Sequence, residues 1–123
     1  MAHNRPISPH LQIYHLPLTA ILSICHRITG LFLCIGLLGL VSMLWQLKHG
    51  ELSYLQLQNI LHTWFMQVIL GVFIYALLFH LCHGIRHLIW DTGKGFTRKQ
   101  LTRYAQCEIV VSCLLTIIVW MLL

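Results

Sequence analysis

Charge is what this sequence has least of. Asp, Glu, Lys and Arg together make up 9% of its 123 residues, and only three residues are acidic. A soluble globular domain carries about 25% charged residues, and a chain this short leaves much of its surface uncovered. So few charges would not keep that surface in water, which argues against a soluble enzyme, a disordered chain or a secreted disulfide scaffold. Cysteine pairing signals are missing as well. Cys25, Cys34, Cys82, Cys107 and Cys113 contain no CxxC spacing and lie in or beside apolar segments, so they read as small buried hydrophobes rather than metal thiolates. The first ten residues, MAHNRPISPH, hold no apolar run; no cleavable signal is predicted, and the mature chain is expected to start at Met1 or Ala2. No internal repeat or low-complexity tract is visible.

Hydrophobic residues, by contrast, make up 58% of the chain. A membrane-crossing helix needs about 20 mostly apolar residues, and three segments meet the need. The first runs over 18–47 and includes the uncharged stretch ITGLFLCIGLLGLVSMLWQL. The second runs over 63–90. The third runs over 103–123, with Glu108 near its boundary. A β-barrel is excluded, because closure needs many alternating strands. The sequence therefore predicts an all-α integral membrane protein, a single membrane-anchor domain over 1–123 with three transmembrane helices. Pro6, Pro9 and Pro17 keep the segment 1–17 extended until helix one begins.

The net charge of +5 reports topology rather than nucleic-acid binding. Arg5 and Arg27 lie in or just after the N-terminal segment, and Lys94, Arg98, Lys99 and Arg103 lie between helices two and three. Between helices one and two, Lys48 is opposed by Glu51. By the positive-inside bias the N-terminus and second loop are cytoplasmic (or matrix-facing) and the C-terminus is outside.

Ionisable groups inside a bilayer are costly, so each is a functional candidate. Of the nine histidines, His3, His10, His15, His49 and His62 lie outside or at the edges of the spans and read as loop or interfacial residues. His26, His80, His83 and His87 lie within them. At about 100° per residue, His80, His87 and Asp91 share one side of helix two, with His83 about 60° away. Gly84 within that stripe would admit a planar group or another backbone. Ser23, His26, Arg27 and Gly30 share a face of helix one. With the N-terminus inside, Ser23, His26 and Arg27 come level with Arg86, His87 and Asp91, and His80 lies about 10 Å deeper.

This arrangement suits a b-type haem, with His80 on the iron and His26, Arg27 and His87 meeting the propionates. It also suits a quinone, whose carbonyls accept hydrogen bonds from Ser and Arg. Zinc is the weaker reading, since His80 and His83 lack further ligands at a recognisable spacing. A lone membrane histidine also serves as an interhelical hydrogen-bonding group, and Arg27 alone would snorkel to the interface.

RPISPHLQIY at 5–14, SICHRITG at 23–30 and HLCHGIRHLIWD at 80–91 closely resemble the cytochrome b family of succinate dehydrogenase, the larger membrane anchor of respiratory complex II. The resemblance covers most of the chain. It implies that His80 is an axial ligand of haem b, that the haem is shared with a histidine of a small partner anchor, and that Ser23 and Arg27 help bind ubiquinone. It further implies that His26 and His87 lie near the propionates, and that the RPISPH segment helps dock the iron–sulfur and flavoprotein subunits. His83 receives no role from it. The implied function is transfer of electrons from succinate oxidation to ubiquinone; the lack of a transit-peptide pattern leads to the expectation of a bacterial inner membrane rather than a mitochondrial one. The alternatives are the anchor of a quinol:fumarate reductase and a haem-free three-helix structural anchor.

Overall fold

Each long apolar run of the sequence becomes one helix. The computed structural model describes residues 15–123; the predicted role of the RPISPH segment, and His3 and His10, fall outside them. The described residues form α1 (Leu18–Leu47), α2 (Glu51–Leu61), α3 (Trp64–Asp91) and α4 (Arg98–Leu122), with no strand among them. Three of these helices, α1, α3 and α4, are long and apolar enough to cross a membrane. At 1.5 Å per residue the 28 residues of α3 span about 42 Å, more than the roughly 30 Å hydrocarbon layer.

Helix starts follow local chemistry. Pro17 is extended at φ −65° and ψ 150°, and its carbonyl accepts from the Ala20 and Ile21 amides to open α1. Thr97 and Gln100 form a capping box: the Thr97 hydroxyl accepts from the Gln100 amide, and the Gln100 side chain accepts from the Thr97 amide. That cap starts α4 five residues before the expected position 103. The turn before it needs Gly95, whose φ of +87° is left-handed and whose missing Cβ would sit 2.7 Å from the Tyr104 ring.

The segment between the first two spans holds a further helix, α2, that the span pattern does not predict. Its 11 residues are too short to cross a bilayer. They carry Glu51 in the first turn, where the helix dipole favours an acid, and they bury Leu57. The Gln67 side-chain amide donates to the Leu61 carbonyl at 3.0 Å and ties the end of α2 to α3.

Helix α3 is central and packs against both α1 and α4. Residues near the start of α1 meet the end of α3, and the end of α3 meets the first half of α4, so neighbouring long helices run antiparallel. The interior is small. Leu22, Phe79 and Ala105 form its apolar centre, whereas large apolar side chains such as Leu38, Trp64, Leu88 and Met121 face outward. The largest fully buried side chains are polar, His83 and Ser112. Apolar outside and polar inside is the arrangement a bilayer requires, because hydrocarbon gives helices no hydrophobic reason to hide leucine. The cysteines obey the same rule and overturn the expectation that they are buried: Cys25 and Cys82 are half-buried, Cys34, Cys107 and Cys113 are exposed, and all five are free. Facing lipid costs a small apolar thiol nothing.

Candidate functional site

One turn of α1 and two turns of α3 bring four imidazoles together. His26 stacks on His80, with ring centroids 3.9 Å apart, and on His83 at 4.3 Å. His87 meets His26 at 5.9 Å and His83 edge-on at 5.0 Å. The rings form a column across the α1–α3 interface, rather than the single deep imidazole above a cationic cluster that helical geometry suggested. Backbone approach is close at Gly30, where an added Cβ would lie 3.0 Å from His80 Cε1. At Gly84, expected to be the point of close approach, an added Cβ would meet nothing within 4 Å among the described residues.

His80 is half-buried and engages one ring nitrogen: Nδ1 lies 3.3 Å from the Thr29 hydroxyl. His26 Nε2 is buried without a hydrogen-bond partner among the described residues, as is Trp90 Nε1. Buried polar atoms are nearly always satisfied, so these two mark a place where a polar guest fits. His87 is exposed and lies 5.0 Å from the Trp90 ring. Ser23 is half-buried. Arg27 is exposed and has no ion-pair or hydrogen-bond partner among the described residues. Ser23 and Arg27 thus flank the column, while His26 and Gly30 of the same expected face turn toward α3.

His83, to which no role had been given, lies at the centre of the site. It is 0% exposed, and its Nδ1 is 2.7 Å from Glu108 Oε1. Arg86, 4% exposed, pairs with Glu108 Oε2 at 2.8 Å, and its guanidinium lies over the Trp90 ring at 4.8 Å. Arg86 is therefore neutralised within the bundle and does not join a cationic cluster with His87. Glu108 is 5% exposed, buried against His83 and Arg86 of α3. Because α4 starts at Arg98, Glu108 lies about 15 Å along the helix. The signal that finds it is the T-x-x-Q pattern at Thr97 and Gln100: with the helix start moved back, the acid falls in the body of a long apolar helix, where an ionisable group is a candidate by default.

The structure also alters the case against a metal. His26, His83 and His87 bring ligand nitrogens within 4.8 Å of one another. The third donor comes from a different helix, which a search along one helix does not see.

Against known proteins, the family model described as "Succinate dehydrogenase/Fumarate reductase transmembrane subunit" matches residues 1–119. The chain is 41% identical over 118 residues to the succinate dehydrogenase cytochrome b556 subunit of Rickettsia felis, covering 96% of this chain and 92% of the relative. It is 40% identical over 123 residues to the protein of the same name from Paracoccus denitrificans, covering 95% and 92%. It is also 40% identical over 119 residues to the mitochondrial cytochrome b560 subunit of succinate dehydrogenase from Sus scrofa, covering 93% and 69%.

Proposed function

The chain belongs to the succinate dehydrogenase/fumarate reductase transmembrane-subunit family, and from that premise we propose that it is a membrane anchor of succinate dehydrogenase that binds haem b through His80 and forms part of a ubiquinone-reducing site. The observation that carries this reading is the His80 ring. It stands in the α1–α3 interface with Nδ1 occupied by a hydroxyl and Nε2 unengaged, beside the unpartnered buried nitrogen of His26. His80 would hold the haem iron through its neutral imidazole, and a small partner anchor would supply the other ligand. His26 and His87 supply nitrogen donors for the propionates.

The bound haem supplies a one-electron store beside the quinone pocket. The chain's own residues do the rest. Arg27 is an exposed cation with no ion-pair partner among the described residues, unlike Arg86, which Glu108 neutralises. It stabilises negative charge developing on a quinone oxygen, and a fixed cation has its largest effect where water is scarce. Ser23, one turn earlier on α1, donates a hydrogen bond to the same headgroup and holds it in place. An exposed Arg27 beside a half-buried Ser23 in the isolated chain fits a pocket whose remaining wall belongs to the iron–sulfur subunit and the small anchor. The N-terminus is cytoplasmic by the charge bias, with the flavoprotein and iron–sulfur subunits on that side, and the membrane is a bacterial inner membrane. The relatives are named for succinate dehydrogenase, which favours succinate oxidation over fumarate reduction as the working direction.

A redox difference spectrum of the complex isolated through this chain tests the reading. A haem b band is expected, and His80→Leu is expected to abolish or shift it. A wild-type complex without the band, or an unchanged band in the variant, overturns the assignment of His80 and favours a haem-free anchor.

A further inference from the structure

The residue that prepares His80 is found on α1 rather than on its own helix. The Thr29 hydroxyl donates its one proton to the His26 carbonyl at 2.9 Å. A hydroxyl has one donor and two acceptor sites, so toward His80 Nδ1, 3.3 Å away, Thr29 Oγ1 can only accept. With the hydroxyl proton given to the His26 carbonyl, the contact is made by a proton on His80 Nδ1, and Nε2 keeps its lone pair. The ring is held on its other sides by the same turn of α1: His26 stacks on its face at 3.9 Å, and Gly30 leaves just enough room for Cε1.

We infer that Thr29 is a positioning residue for His80: its hydroxyl selects the Nδ1–H tautomer and aims Nε2 as the nitrogen offered to iron. The inference rests on the proposed role of His80 as haem ligand and extends it to a residue that touches no cofactor atom. Ligating histidines characteristically donate their second ring nitrogen to an acceptor, which fixes the tautomer and raises the basicity of the ligand. Loss of such a partner costs about 10–100-fold in metal affinity. The Thr29 contact is longer than the usual 2.9–3.0 Å, which puts the expected loss near tenfold. A more basic imidazole favours ferric iron, so the sign for the potential is upward when the acceptor is removed. A tenfold preferential loss of the ferric form is about 59 mV for a one-electron couple.

Thr29→Val keeps the shape and removes the hydroxyl; Thr29→Ala removes it with less bulk and serves if the valine complex does not assemble; Thr29→Ser restores it. In the isolated complex, haem affinity is read from loss to excess apomyoglobin, and the haem midpoint potential from a redox titration. The expected result is a haem bound about tenfold more weakly and a raised potential in the valine and alanine variants, with both values restored in serine. Unchanged values in valine and alanine, or a serine variant that behaves like valine, overturn the role of the hydroxyl. His80→Leu separates the two levels. If it removes the haem while Thr29→Val is silent, only the Thr29 inference falls; if its spectrum is unchanged, the His80 reading falls and takes this one with it.

Discussion

Where α1 and α4 begin and α3 ends, the bundle brings together four imidazoles, a guanidinium and a carboxylate, of which His83, Arg86 and Glu108 are buried. Where α3 begins and α4 ends, Trp64, Val68, Gly71, Ile117, Trp120 and Met121 border an open cleft of about 360 Å³. Both regions lie within the same antiparallel helices. The first is specified by complementary charge and hydrogen bonding, for which the bilayer has no substitute. The second is specified by shape alone, and lipid tails replace a lost contact there at little cost. The bundle is thus most exacting where it is most polar.

The sharpest way to break this contrast is at Glu108. Glu108→Leu leaves Arg86 buried without its partner and His83 Nδ1 without an acceptor. Removing one member of a buried pair costs about 3–5 kcal/mol, so the subunit should fail to accumulate in membranes, measured by immunoblot and by thermal melting of what remains. Adding Arg86→Met should recover most of the loss, because the unpaired charge goes with it. A single variant as stable as wild type would mean that the polar end is no more demanding than the apolar one.

Function at that end is tested next. Arg27→Ala should lower ubiquinone reduction about 100-fold or more, the range for removing one preorganised group that stabilises developing negative charge. Succinate oxidation with an artificial dye should be spared. Equal loss of both activities would point to failed assembly and remove Arg27 from the quinone site.

A pair of alanine substitutions then compares the two ends at the scale of one methyl group. Gly30→Ala puts a Cβ 3.0 Å from His80 Cε1, where stacking on His26 leaves the ring nowhere to go. Overpacking of this kind costs about 1–3 kcal/mol, and the haem spectrum should shift. Gly71→Ala meets Trp120 at 3.5 Å, an ordinary contact, and should be neutral or stabilising by up to about 1 kcal/mol through helix propensity. Equal effects in a melt of both variants would erase the distinction.

Much of the fold was legible because its cause is local. Scarcity of charge and long apolar runs decide the number of spans whatever the helices touch. The polar stripe on α3 and the SICHRITG face were legible for the same reason, since helical periodicity acts within one segment. The start of α4 was also written locally, at Thr97 and Gln100, yet hydropathy passes over a cap built from polar residues. The helix α2 is amphipathic and short, and gives no span signal.

Three features depend on the relative placement of helices. His83 is a bystander by position on α3 and becomes the hub only because α4 delivers Glu108 to its Nδ1. Arg86 reads as one more cation until that carboxylate neutralises it, and the Thr29 hydroxyl finds its acceptor role only when α1 lies against His80. Sequence by itself determined that this chain lives in a bilayer as three spans with imidazoles and a guanidinium inside, because burying charge in hydrocarbon is prohibitive without reason. Only the tertiary structure decided which polar group answers which, because hydrogen bonds and ion pairs act over about 3 Å, and residues 25 positions apart, such as His83 and Glu108, are brought within that distance by helix packing alone.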